Sequence, residues 1–97
     1  MEDVTLTLDE KGHGGFFAKD ENKQVGEMAI SISGKFLTVY HTEVVPEWEG
    51  KGLAKKLLNE MAGYARTNGL KVIALCPYVH AQFRRHPEAY ADIEKKD

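Results

Sequence analysis

The chain has 97 residues, enough for one domain with a single core and too few for a second layer of substrate-recognition elements. Thirteen basic side chains against 15 acidic ones leave a net charge of −2, without the basic excess of a general nucleic-acid binder. The lone Cys76 excludes an intrachain disulfide and a cysteine-based zinc site, and no apolar run approaches the roughly 20 residues that cross a bilayer.

The opening Met1-Glu2-Asp3-Val4 has neither the positive region nor the apolar region of a secretion signal, so the cytoplasm is the expected compartment. Val4 to Leu8 alternates with a period of two and predicts a half-buried strand. Asp9 to Gly15 reads as a turn and Gly15 to Lys19 as a short second strand. After a turn at Asp20 to Lys23, Gln24 to Ser33 predicts a third strand, with Met28, Ile30 and Ile32 on one face. Gly34-Lys35 turns the chain into a fourth strand from Phe36 to Val45. Links this short imply an antiparallel meander.

From Leu53 the period changes. Leu53, Ala54, Leu57, Leu58, Met61, Ala62 and Ala65 form one helical stripe, and Asn68-Gly69 is a helix stop. The helix is about 25 Å long at 1.5 Å per residue. Leu70 to Leu75 predicts a short buried strand, so strand, helix and strand form a right-handed crossover that leaves the fifth strand parallel to the fourth. Pro77 to Arg85 reads as a second helix with proline in its first turn, and Pro87 to Ile93 as a last helical turn. Glu94 to Asp97 is expected to fray. The expectation is one α/β domain of the α+β kind over residues 1–97, with four antiparallel strands, a long helix, a parallel fifth strand and a short C-terminal helix.

The chemistry-bearing segment is Val44-Val45-Pro46-Glu47-Trp48-Glu49-Gly50-Lys51-Gly52-Leu53-Ala54, between a strand and a helix start. Gly50 and Gly52 allow a tight turn and close backbone approach. The first amides of a helix lack internal partners, and the helix dipole adds partial positive charge there. Such a helix start suits phosphate or pyrophosphate, with Lys51, Lys55 and Lys56 adding charge. Glycine spacing alone favours a plain turn. The segment is neither a P-loop nor a dinucleotide fingerprint, because the further glycines and the Lys-Ser/Thr pair are absent.

Glu49-Gly50-Lys51-Gly52-Leu53-Ala54 resembles the acetyl-CoA loop of the GCN5-related N-acetyltransferase family, which reads Gln/Arg-x-x-Gly-x-Gly/Ala, with Glu49 departing from the usual Gln or Arg. His41-Thr42-Glu43-Val44, Cys76-Pro77-Tyr78-Val79 and Arg85-His86-Pro87-Glu88 resemble a small bacterial branch of that family, the YjdJ type, over roughly residues 15 to 93. The resemblance implies acetyl-CoA as cosubstrate, held by Val44, Val45, Glu49, Gly50, Lys51, Gly52, Leu53, Ala54 and Lys55. It also implies that the fourth and fifth strands splay apart to admit the pantetheine arm.

Alternation puts His41, Glu43 and Val45 on one face of the fourth strand and Tyr40, Thr42 and Val44 on the other. His41 and Glu43 are then the candidates for general base, the alternatives being a hydrogen-bonded structural histidine and a surface ion pair. Cys76 follows its strand and precedes a helix, so it is a candidate to accept acetyl or assist thiolate departure, against the alternative of a small buried hydrophobe. Trp48 and Tyr78 are candidates to cover the ligand or simply to pack. Arg84, Arg85 and His86 are a basic cluster at a helix end. The four histidines lack metal-ligand spacing, so no metal is expected. The implied acceptor is an amine, small or on a protein, with no nucleic acid or membrane involved. A non-catalytic CoA-binding or sensing module and a plain interaction domain are the rival readings.

Overall fold

A computed structural model describes residues 2–96; the opening Met1 and the terminal Asp97, where fraying is expected, lie outside them. The elements run β1 (Glu2–Leu8), β2 (His13–Asp20), β3 (Lys23–Ser33), β4 (Phe36–Val44), α1 (Leu53–Thr67), β5 (Lys71–Ala74), α2 (Pro77–Arg85) and α3 (Pro87–Tyr90), with one 3-10 turn at Pro46–Trp48 between β4 and α1. The five strands form one sheet in sequence order, antiparallel from β1 to β4 and parallel between β4 and β5. This is the expected α+β arrangement.

Apolar alternation explains the sheet's two faces. Phe16, Ala18, Met28, Ile30, Leu37, Val39 and Val72 point to one side and are buried. Leu53, Leu57, Leu58, Met61, Ala62 and Ala65 of α1 are buried in the same core, and Val79, Phe83, Tyr90 and Ile93 close its end. Phe83 and Tyr90 stack with ring centroids 4.9 Å apart. On the other side, Phe17, Ala29, Ser31, Thr38 and Ile73 are only partly covered, and Tyr40 is exposed. The molecule is 20 Å across its shortest axis, the thickness of a sheet and one helical layer.

Three local expectations are corrected. The first turn is tighter than Asp9 to Gly15, and β2 starts at His13. The Asp9 carboxylate accepts the N–H groups of Lys11 and His13, which closes the turn early and lowers the Asp9 pKa. The last buried strand is shorter than Leu70 to Leu75. It ends at Ala74, and Leu75 is 61% exposed, because the N–H groups of Leu75 and Cys76 both turn onto the Val39 carbonyl. The tail is also anchored through Lys95 rather than frayed from Glu94. Val72 N–H donates to Ile93 O at 2.7 Å and Lys95 N–H to Val72 O at 2.9 Å, so the chain pairs with the outer edge of β5.

The fourth correction bears on the site. Ile30 pairs with Val39 but Ala29 pairs with His41, so Tyr40 is an extra residue in β4. This bulge reverses the alternation. Thr42, opposite the buried Met28, rejoins the core face of Leu37 and Val39, as does Val44. The expected grouping of Tyr40 with Thr42 and Val44 therefore fails at Tyr40, whose hydroxyl instead meets Ser31 Oγ at 2.6 Å. The β4–β5 ladder runs from Phe36↔Lys71 to Val39↔Ala74 and stops at the bulge.

Candidate functional site

Where β4 and β5 part, a cavity of about 450 Å³ opens between the core face of β4 and the start of α1. Its walls are Thr42 and Val44 from β4, Trp48, Glu49, Gly50 and Gly52 from the connecting turn, Leu53, Ala54 and Lys55 from α1, and Tyr78 from α2. Pro46 sets the 3-10 turn. Gly50 at φ 78° and Gly52 at φ 80° then take left-handed conformations that swing the chain into the helix.

The first intrahelical bond of α1 is Lys56 N–H to Gly52 O, at 3.0 Å. The amides of Leu53, Ala54 and Lys55 come before it and have no partner within the helix. No side chain caps this end. Three donors and the positive end of a 15-residue helix therefore face a cavity at its mouth.

The β4 edge adds a second set of main-chain groups. Val45 N–H donates to Val25 O on the β3 side at 2.9 Å. By alternation the peptide groups of Thr42 and Val44 point the other way, into the gap that β5 leaves.

The expected cofactor residues mostly converge here. Val44, Glu49, Gly50, Gly52, Leu53, Ala54 and Lys55 line the cavity. Val45 does not; it lines a smaller cavity with Val25 and Pro46. Lys51 stands outside the wall, with Nζ 5.4 Å from the centre of the Trp48 ring.

The expected chemical residues are divided. His41 Nδ1 and Glu43 Oε1 lie 3.7 Å apart and are 49% and 74% exposed. Opposite Ala29 and Glu27, they sit on the sheet face away from α1 and do not line the cavity. Cys76 is 1% exposed and sits behind the wall, its Sγ 3.4 Å from Thr42 Oγ1. Thr42 is the lining residue that sequence reasoning missed, because the bulge that turns it inward leaves no mark in the hydrophobic period. Tyr78 also lines the cavity, and burial, with smaller contributions from Tyr90 and Cys76, raises its pKa above the ordinary tyrosine value.

Among the described residues no group of three or more His, Cys, Asp or Glu is placed to hold a metal ion. Among the described residues no helix is long and apolar enough to cross a membrane.

A strand, a glycine turn, an uncapped helix and a splayed parallel strand define an acyltransferase-type fold. The chain belongs to the GCN5-related N-acetyltransferase family, whose profile matches residues 15–93. A GCN5-like protein from Staphylococcus aureus, solved by NMR, is 27% identical with a TM-score of 0.71, over 98% of this chain and 89% of that one. A ribosomal-protein-alanine N-acetyltransferase from Brucella melitensis shares the fold at 21% identity and a TM-score of 0.64, over 91% of this chain and 65% of that one. The corresponding Escherichia coli enzyme gives 15% and 0.62, over 68% of this chain. The match spans 43% of that enzyme's length. No curated protein matches the chain.

Proposed function

We propose that the protein binds acetyl-CoA in this cavity and transfers its acetyl group to an amine. The observation that carries the proposal is the uncapped start of α1. Its free amides open into a cavity that continues to the gap between β4 and β5. The pyrophosphate sits on the amides of Leu53 to Lys55, and the pantetheine arm runs along the Thr42–Val44 edge as an added strand. The thioester then lies at the Thr42 and Tyr78 end.

The amine nitrogen attacks the thioester carbonyl carbon, the C–S bond breaks, and CoA leaves as a thiolate. Tyr78, a phenol on the cavity wall, returns a proton to that sulfur. The acceptor approaches from the exposed sheet face, and the amine proton passes to His41 or Glu43 through one water, since neither lines the cavity. Cys76 lies one side chain behind the thioester. Acetyl transfer onto it forms a new S–C bond, breaks the thioester C–S bond and passes the Cys76 proton to the departing CoA sulfur. Acetylated Cys76 is the covalent version of the mechanism, and peptide mass after incubation with acetyl-CoA tests it. The three motifs around His41, Cys76 and Arg85 support placement in the small YjdJ-type branch, working in the cytoplasm where acetyl-CoA and reduced thiols occur.

Binding without turnover is the second reading. One observation favours it: the ionisable side chains on the cavity wall are Glu49, Lys55 and Tyr78, with neither base candidate among them. A thiol-release assay against small polyamines and lysine peptides separates the two, since only catalysis releases CoA thiol in step with amine. Calorimetry with CoA and acetyl-CoA tests the site itself. Gly52→Arg is expected to abolish binding, at a stability cost of roughly 1–2 kcal/mol for a side chain at positive φ. A folded Gly52→Arg protein that binds normally would remove the proposal.

A further inference from the structure

At the cavity wall one contact joins two strands that are no longer paired. Thr42 comes from β4 beyond the bulge, Cys76 follows β5, and their Oγ1 and Sγ atoms lie 3.4 Å apart. Both are held from behind. Thr42 is paired across the sheet with Met28, which is fully buried. Cys76 is 1% exposed, and its N–H donates to Val39 O at 2.9 Å, the same oxygen that Leu75 N–H reaches at 3.0 Å. A ligand anchored by phosphates at Leu53 to Lys55 and laid along β4 passes Val44 and then reaches Thr42, since all of these residues line one cavity.

We infer that Thr42, backed by Cys76, is the stop that limits the acyl group carried on CoA to about two or three carbons. The inference rests on the reading of the cavity as an acyl-CoA site and adds which thioesters that site accepts. An acetyl methyl ends against Thr42. Each further methylene has to displace a side chain whose own neighbours are packed, and tight interiors resist such insertion. Thr42 acts here as a specificity residue through its volume, and its hydroxyl contact with Cys76 holds the rotamer.

The test measures Kd by calorimetry for CoA, acetyl-CoA, propionyl-CoA and butyryl-CoA on the wild type, Thr42→Ala and Thr42→Val, with thermal melts to check folding. The wild type is expected to bind CoA and acetyl-CoA alike and to weaken about tenfold for each added carbon from acetyl to butyryl. Thr42→Ala is expected to bring all three acyl-CoAs within about threefold of one another. Thr42→Val, of the same branched shape with a methyl in place of the hydroxyl, should keep the wild-type order. If Thr42→Ala fails to fold, Thr42→Ser replaces it, with a smaller relaxation expected from loss of the methyl alone. Equal wild-type affinity for acetyl-CoA and butyryl-CoA overturns the inference and leaves the CoA site standing. So does a Thr42→Val protein that relaxes as far as Thr42→Ala. Failure of CoA itself to bind overturns the site and the stop together.

Discussion

The two ends of α1 treat their unpaired backbone groups in opposite ways. At the C-terminal end Asn68 N–H and Asn68 Nδ2 both donate to Tyr64 O, and Leu70 N–H donates to Ala65 O at 2.9 Å. Gly69, at φ 65°, supplies the left-handed residue that makes these bonds possible. Arg66 then ties the helix to the tail, with Nε 2.6 Å from Asp92 Oδ2 and an Nη2 bond to Ala89 O. At the N-terminal end a left-handed glycine also sets the geometry, but no side chain accepts the first amides. An ordinary cap there contributes about 1 kcal/mol. The contrast teaches that one end is finished by the fold and the other is left for a ligand.

Ala54→Asp should break the comparison most strongly. A carboxylate in the first turn favours the helix dipole, so thermal stability should hold or rise slightly. The same charge faces the phosphates, and CoA affinity should fall roughly 100-fold, about 2.7 kcal/mol. Calorimetry and a melt on one sample check both halves.

Gly69→Ala should do the reverse. The added methyl meets nothing within 4 Å, but the φ of 65° strains it. Stability should drop by about 1 kcal/mol in denaturant unfolding, with CoA affinity unchanged.

Glu49→Gln sharpens the picture at the ligand end. Glu49 lines the cavity beside the glycine turn, and removing its charge should tighten CoA binding about threefold, more at low salt. An unchanged Kd at low ionic strength would place Glu49 away from the phosphates.

The smallest effect belongs to Arg66→Ala, and its signature is pH. The Arg66 hydrogen bond lowers the Asp92 pKa below its ordinary value of 3.8. A depressed carboxyl pKa stabilises the fold above the unfolded value, and that contribution is lost as pH falls through the folded one. Arg66→Ala should therefore melt slightly below the wild type at pH 7, and the gap should narrow as pH falls below 3.8. A gap that does not narrow in acid would assign the effect to the Arg66 Nη2 bond to Ala89 O and to packing of the Arg66 stem rather than to the ion pair.

Much of this was legible along the chain because it is local. Period-two runs fixed β1 and β3, the stripe from Leu53 to Ala65 fixed α1, and Asn68-Gly69 marked its stop. The glycines at 50 and 52 marked the uncapped helix start, because backbone conformation at such turns is dictated by the residues that make them. Tertiary structure decided what depends on pairing between distant strands. The bulge at Tyr40 exists only in the register of β3 against β4, and it alone turns Thr42 inward and leaves His41 and Glu43 on the opposite face. The meeting of Thr42 with Cys76, 34 residues apart, follows from where the β4–β5 ladder stops. A one-residue shift in register reverses every later side chain, and no hydrophobic period records where that shift falls.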